Sequence, residues 1–201
     1  MKTGCILLAA GSGTRFGGGK LKAQIAGKTC LEYILQSLPV RRFEKRVIVA
    51  GDNELAHIAA QYGFAGVINS KPELGVSRSI CMGLHALGDA DACMFCVCDQ
   101  PLLTKETLCG MMDAYVPGTI LALSSGGRRG NPVIFPSFLF GELKSLKAGE
   151  SGKDLIGAHP ELLRLHTVSD PVQLMDMDTQ EQFDELAKII IQRSGQDQAH
   201  H

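Results

Sequence analysis

Short apolar stretches of Val, Ile, Leu, Ala and Cys alternate along this chain with longer amphipathic ones. Continuous apolar runs of strand length are what a parallel sheet covered on both faces demands, and the segments between them have the period of crossover helices. The runs predict strands at 4–9, 46–50, 66–69, 92–98, 119–123, 132–135, 163–168 and 173–177. Helices are predicted at 29–38, 54–62, 76–87, 105–114, 138–146, 153–158 and 179–192. Pro39, Pro72, Pro101 and Pro117 fall between elements, where a residue lacking a backbone donor does no harm. The expected fold class is α/β, with a mostly parallel sheet between helices.

Residues 124–131 differ in texture, with Ser, Gly and Arg between two strands, and read as a mobile loop of the kind that carries a binding edge. No repeat or linker divides the chain, so one domain is expected over 1–193. Past Arg193 the apolar period stops, and 194–201 reads as a frayed, disordered tail.

Composition narrows the function classes. The 20 basic against 21 acidic residues leave a net charge of −1, which supplies no cationic excess for a phosphate backbone, so nucleic acid is disfavoured as partner. No apolar run reaches the ~18–20 residues of a membrane span, and the run 5–10 is too short for a signal-peptide core, so a cytoplasmic protein without membrane contact is expected. The seven cysteines, an odd number, read as reduced thiols. Cys93, Cys96 and Cys98 lie in one apolar strand with no second ligand pair at zinc-site spacing, and are expected to pack as small hydrophobes.

Candidate chemistry begins where the first strand runs into Ala9-Ala10-Gly11-Ser12-Gly13-Thr14-Arg15-Phe16-Gly17-Gly18-Gly19-Lys20. Glycines let backbone N–H groups approach anionic oxygens, and Arg15, Lys20 and Lys22 supply charge, so the segment suits a triphosphate. It is not a P-loop, because Thr14 and Leu21 stand where Gly and Ser/Thr are required. Nor is it the dinucleotide fingerprint, since Phe16 occupies the third glycine's place. At Cys98-Asp99-Gln100-Pro101 a carboxylate ends an apolar strand, where an open α/β sheet binds its ligands; Asp99 there can hold Mg²⁺ or simply begin a turn. Asp176 and Asp178 alternate with Met175 and Met177 and are expected on one side of the strand 173–177. Asp176 could give a second metal ligand, and Asp178 is equally a cap-region residue before the last helix. Gly75-Val76-Ser77-Arg78-Ser79 opens a helix whose hydroxyls and unpaired N–H groups make an anion or ribose site. Residues 149–154 read only as another helix start.

Taken in order, 8–20, Pro72-Glu73-Leu74-Gly75-Val76-Ser77-Arg78-Ser79, Asp99-Gln100-Pro101-Leu102, Gly130-Asn131-Pro132-Val133-Ile134-Phe135, Gly149-Glu150-Ser151-Gly152 and Asp176-Met177-Asp178-Thr179 resemble the successive motifs of the MobA-like nucleotidyltransferases. The likeness runs from residue 4 to about 187 and is nearest to the molybdenum cofactor cytidylyltransferase branch. It implies a Rossmann-like three-layer α/β/α sandwich of the nucleotide-diphospho-sugar transferase type. The implied reaction is Mg²⁺-dependent transfer of CMP from CTP to the terminal phosphate of the molybdenum cofactor, with pyrophosphate released, and the implied protein partner is a molybdenum hydroxylase. By the same resemblance Gly11, Ser12, Gly13, Arg15 and Lys20 hold the phosphates, Asp99 holds the metal, and Ser77 and Ser79 line the nucleotide pocket. Leu8, Ala9, Ala10, Leu74 and Gly75 lie beside the base; the guanylyl branch has glycine in place of Ala10. The chain departs from the family pattern at Gln24, Val76, Asn131, Glu150 and Gln180, and Asn131 and Glu150 fall in the half that meets the acceptor. Transfer to a sugar or polyol phosphate, transfer from GTP, and a non-catalytic cofactor-binding maturation factor are the competing readings.

Overall fold

The computed structural model describes residues 1–11 and 16–198. Strands β1 (Thr3–Ala9), β4 (Lys45–Ala50), β5 (Ala65–Ile68), β6 (Ala92–Val97), β7 (Ile120–Ser125), β8 (Arg128–Pro136) and β9 (Leu163–Thr167) form one sheet in the order β5-β4-β1-β6-β8-β7-β9. All neighbours are parallel except around β8, which runs antiparallel to both β6 and β7. A two-stranded hairpin, β2 (Gln24–Ile25) and β3 (Lys28–Thr29), stands apart from it.

Helices α1 (Cys30–Ser37), α2 (Asn53–Ala60) and α4 (Lys105–Asp113) cover one face of the sheet; α3 (Val76–Leu87), α5 (Phe140–Lys144) and α6 (Gly152–Ala158) cover the other. Strand residues divide between the layers by their period of two. Cys5, Leu7 and Ala9 of β1 pack with Leu31, Ile34 and Leu35 of α1, whereas Ile6 packs with Ile80, Leu84 and Leu87 of α3. The three clustered cysteines divide likewise: Cys93 faces the α3 side, and Cys96 and Cys98 face the α1 side. Burial pushes the Cys93 and Cys98 thiols well up, and a bond with Cys5, then burial, does the same for Cys96. Such thiols are poor ligands and poor nucleophiles.

Helix α3 matters most to the site, because its first turn enters the crevice. It lies unusually close to the sheet: a Cβ on Gly83 would stand 2.8 Å from Ile6 Cγ2 and 3.2 Å from Val49 Cγ2. Both neighbours are buried branched side chains that cannot swing aside. Gly83→Val should therefore lower stability by about 1–3 kcal/mol through overpacking, read as an earlier denaturant midpoint. An unchanged midpoint would show that α3 has room to move outward.

Three expectations need correction. Residues 173–177 are not a strand: Pro171–Leu174 is a short 3₁₀ turn, and Met177 donates a single backbone bond to the Asp99 carbonyl at 2.9 Å. The alternation there arises because Met177 is buried against Cys30 and α7 (Gln180–Gln198) while Asp176 and Asp178 on either side of it are less buried. Residues 124–131 are not a loop but a β-hairpin, with Gly126 (φ 54°) and Gly127 (φ 75°) as its two-residue turn. Two adjacent left-handed residues are what a tight hairpin requires, and only glycine takes them without strain. Among the described residues α7 does not stop at Arg193 but continues to Gln198; 199–201 lie outside the described residues.

Candidate functional site

The chain leaves β1 toward β4 and β5 on one side, then returns through α3 to β6 on the other, so β1 and β6 are neighbours at the point where the strand order reverses. Loops leaving the carboxyl ends of two such strands diverge and open a crevice. The glycine-rich segment follows β1 and Asp99 follows β6, and the crevice brings them together.

Lys20 Nζ lies 2.7 Å from Asp99 Oδ2 and 2.9 Å from Asp178 Oδ1. The lysine is 13% exposed, Asp99 21% and Asp178 43%, so the pairs sit where the crevice meets solvent. Burial alone would lower the pKa of this ammonium, but Asp99 and then Asp178 more than offset it and hold it above its ordinary value. Asp99 Oδ1 is buried with no hydrogen-bond partner among the described residues. Gln100 donates from Nε2 to Asp176 Oδ1 at 2.9 Å. Asp176 is exposed as a residue, yet its carboxylate is drawn in beside Gln100; loss of solvent there, and then the negative charge of Asp99, raise its pKa above the usual carboxylate value.

Asp178 is free for Lys20 because another residue caps α7. Thr179 Oγ1 accepts from Gln182 N at 3.2 Å, and Gln182 Oε1 accepts from the backbone N–H of both Asp178 and Thr179. This is the reciprocal arrangement of a capping box. The alternative role of Asp178 as the cap thus falls to its neighbour. Edge-on packing of Phe16 against Phe183, centroids 5.7 Å apart, ties α7 to the end of the glycine-rich segment.

A cavity of about 200 Å³ opens beside this ion-pair group, with Leu8, Ala10, Gly11, Lys20, Gly75, Ser79 and Asp99 among its walls. Of the other residues marked out in the sequence, Ala9 is buried and pairs across the sheet with Ala50, Leu74 is exposed, and Ser77 is buried in the first turn of α3; none of them lines this cavity. Ser12, Gly13 and Arg15 lie outside the described residues. Lys22 is turned away, 2.9 Å from Asp52 Oδ2 and 2.5 Å from Glu54 Oε2. Asp52 also caps α2 through Leu55 N, so this lysine helps fix the loop after β4.

Sharing Leu8, Val76 and Val97 with the first, a second cavity of about 330 Å³ extends under the β7–β8 hairpin. Its walls include Phe95 and Phe135, an edge-on aromatic pair, with Val133 and Ile156; Arg129, Asn131, Ser151 and Lys153 are its polar members, and no carboxylate lines it. The segment 149–154 therefore does reach a cavity, even though Ser151 serves as the N-cap of α6 in a capping box with Asp154.

Among the described residues no group of three or more His, Cys, Asp or Glu side chains forms a ready metal cage. The arrangement nonetheless fits a hard divalent cation. Mg²⁺ is commonly held by one or two carboxylates with substrate phosphates and water completing its shell. Asp99 with its unpartnered Oδ1, and Asp178, gathered on a single lysine, offer such a pair. No helix among the described residues is long and apolar enough to cross a membrane.

Comparison with known proteins agrees with this geometry. The bifunctional protein GlmU of Lactococcus lactis subsp. cremoris is 24% identical over 165 residues, covering 81% of this chain and 36% of that protein. This chain thus spans about a third of the length of that curated relative, and 24% of a second GlmU. Among solved structures, the Methanothermobacter nucleotidyl transferase Mth528 superposes with a TM-score of 0.82 at 18% identity, covering 96% of this chain and 99% of that one. Rv0371c of Mycobacterium tuberculosis in complex with manganese gives 0.74 at 23%, over 94% and 99%. The molybdopterin-guanine dinucleotide biosynthesis protein A of Archaeoglobus fulgidus gives 0.72 at 16%, over 94% and 99%. These likenesses establish the Rossmann-like α/β fold. Residues 5–163 match the MobA-like NTP transferase domain, and with most of its length inside that match the chain belongs to the MobA-like NTP transferase family.

Proposed function

We propose that this nucleotidyltransferase moves CMP from CTP onto the terminal phosphate of a molybdenum cofactor and releases pyrophosphate. The observation that carries the reading is the pairing of two cavities across Leu8, Val76 and Val97, one beside Lys20 and Asp99, the other apolar and rimmed by Arg129 and Lys153. The first suits a nucleoside triphosphate. The second suits a phosphate monoester that carries a flat heterocycle, which aromatic walls and two cations match better than the hydroxyls of a sugar. The kinship in fold with the Archaeoglobus fulgidus protein supports the choice of acceptor.

In the reaction an acceptor phosphate oxygen forms a bond to the α-phosphorus as the bond to the bridging oxygen of pyrophosphate breaks. No general base is required, because a phosphate monoester, with a second pKa of about 6, is already largely dianionic at neutral pH. Lys20 holds phosphate oxygens, and Gly11 offers backbone approach where the chain leaves β1. A Mg²⁺ ion held by Asp99 and Asp178 or Asp176 would supply charge neutralisation at the phosphates. Positioning and electrostatic stabilisation carry the catalysis. All seven cysteines are unpaired, which accords with the reducing cytoplasm as its compartment.

The choice of base rests on Ala10, buried at 5% exposure on the cavity wall. Its methyl group narrows the pocket floor, which a pyrimidine tolerates better than a purine. With Mg²⁺, molybdenum cofactor and CTP, GTP and ATP at equal concentrations, CTP should be consumed preferentially as pyrophosphate appears. Equal or greater use of GTP would overturn the cytidylyl reading. Absence of pyrophosphate release with any nucleotide would favour a binding protein.

A further inference from the structure

We infer that Asn69 is a positioning residue of the nucleotide cavity: it fixes the hydroxyl of Ser79 as a hydrogen-bond donor toward the nucleoside. The inference rests on the nucleotidyltransferase reading and adds to it the polarity of one wall of the pocket.

Asn69 follows β5, is fully buried, and is anchored by its backbone N–H, which donates to the Ala50 carbonyl at 2.9 Å. Its side-chain amide could in principle present either end to Ser79. The surroundings decide the matter. Oδ1 accepts from the backbone N–H of Lys71 at 3.0 Å and from Arg78 Nε at 3.1 Å. Both partners are obligate donors, so the opposite end must be the amino group, and Nδ2 donates to Ser79 Oγ at 3.0 Å.

Ser79 Oγ is thereby an acceptor toward Asn69, and its own proton is left to point elsewhere. A serine in a helix commonly returns that proton to the carbonyl four residues back, as Ser145 and Ser194 do here with Gly141 and Ile190. Ser79, on the first turn of α3, makes no such bond among the described residues. It is 5% exposed, and the open space it borders is the cavity containing Lys20 and Asp99. In that cavity the ionic groups suit the phosphates, whereas the neutral hydroxyl of Ser79 suits a neutral acceptor atom of the nucleoside. A nucleotide that offers only a donor at this point could use the second lone pair of the hydroxyl but would leave the serine proton without a partner, and the amide cannot turn over to take it, because Lys71 and Arg78 lock it.

Asn69→Asp provides an almost isosteric test. An aspartate keeps one oxygen for Lys71 N and Arg78, but its other oxygen takes the Ser79 proton, which turns the hydroxyl's lone pairs toward the cavity. Calorimetric titration with Mg²⁺ and CTP, in the absence of acceptor, should show affinity about 10-fold to 100-fold weaker than wild type. Inorganic tripolyphosphate, which has no nucleoside, should bind both proteins alike. Ser79→Ala should lose CTP affinity similarly, and adding Asn69→Asp to it should cost little more, because the aspartate acts only through the hydroxyl. CTP binding to Asn69→Asp within two-fold of wild type would overturn the inference, as would parallel weakening of CTP and tripolyphosphate. If wild type binds GTP more tightly than CTP, the cytidylyl reading alone fails, and the same comparison made with GTP still decides the role of Asn69.

Discussion

Asp99→Asn should reduce nucleotidyl transfer by about 10²-fold or more, the scale on which removal of one preorganised electrostatic group reduces turnover. The substitution keeps the shape of the side chain, and an amide oxygen can still accept at the place of Oδ2. What it removes is the charge on the buried, unpartnered Oδ1, the atom best placed to bind a cation. Stability should change less than the roughly 3–5 kcal/mol of a stranded buried charge, because Lys20 keeps Asp178 at 2.9 Å. Steady-state pyrophosphate release, with a Mg²⁺ titration beside a thermal melt, tests both halves. The metal requirement should rise steeply while the melting temperature moves little. Turnover like that of wild type would remove Asp99 from the reaction, and a collapse of the melt together with activity would make its role structural.

That Asp99 could be found without coordinates follows from the physics of buried parallel strands. Both faces of β6 are covered, so its sequence is a continuous apolar run and the first charged residue after it marks the strand's end. Topology then places that end in the crevice beside β1. The same reasoning misleads at 173–177, because a period of two reports only that alternate residues are buried. Met177 meets that condition with one backbone bond to Asp99 and no strand beside it. The β7–β8 hairpin carries a signal that the loop reading passes over, since Gly126-Gly127 between two β-rich segments marks a hairpin turn. The spacing Thr179-Gln180-Glu181-Gln182 likewise marks a capping box, which the reading of Asp178 as the cap passes over and which frees Asp178. Nothing local reveals that Lys22 turns to Asp52 and Glu54, or that Asn69 holds Ser79. Those pairings depend on where α2 and α3 dock, and docking is decided by close contacts such as Gly83 against Ile6.

Lys20→Met should separate two functions that a single cation performs. Lys20 lies between Asp99 and Asp178, which draws the carboxylates together and offsets part of their charge. During transfer the same ammonium is needed by the phosphates, where negative charge accumulates on the α-phosphoryl oxygens and the departing pyrophosphate. Methionine keeps much of the packing of the aliphatic stem but carries no charge, so turnover should fall by about 10² or more. Metal binding should respond in the opposite sense. With no lysine competing for them, the two carboxylates face each other without a counter-charge, and a divalent cation relieves that repulsion. Mn²⁺ titrated into the nucleotide-free variant should therefore bind more tightly than to wild type, although the variant is nearly inactive. Loss of activity accompanied by weaker Mn²⁺ binding would show that Lys20 organises the carboxylates for the metal. Tighter binding with turnover intact would remove Lys20 from the phosphates and leave it as a counter-ion of the two carboxylates.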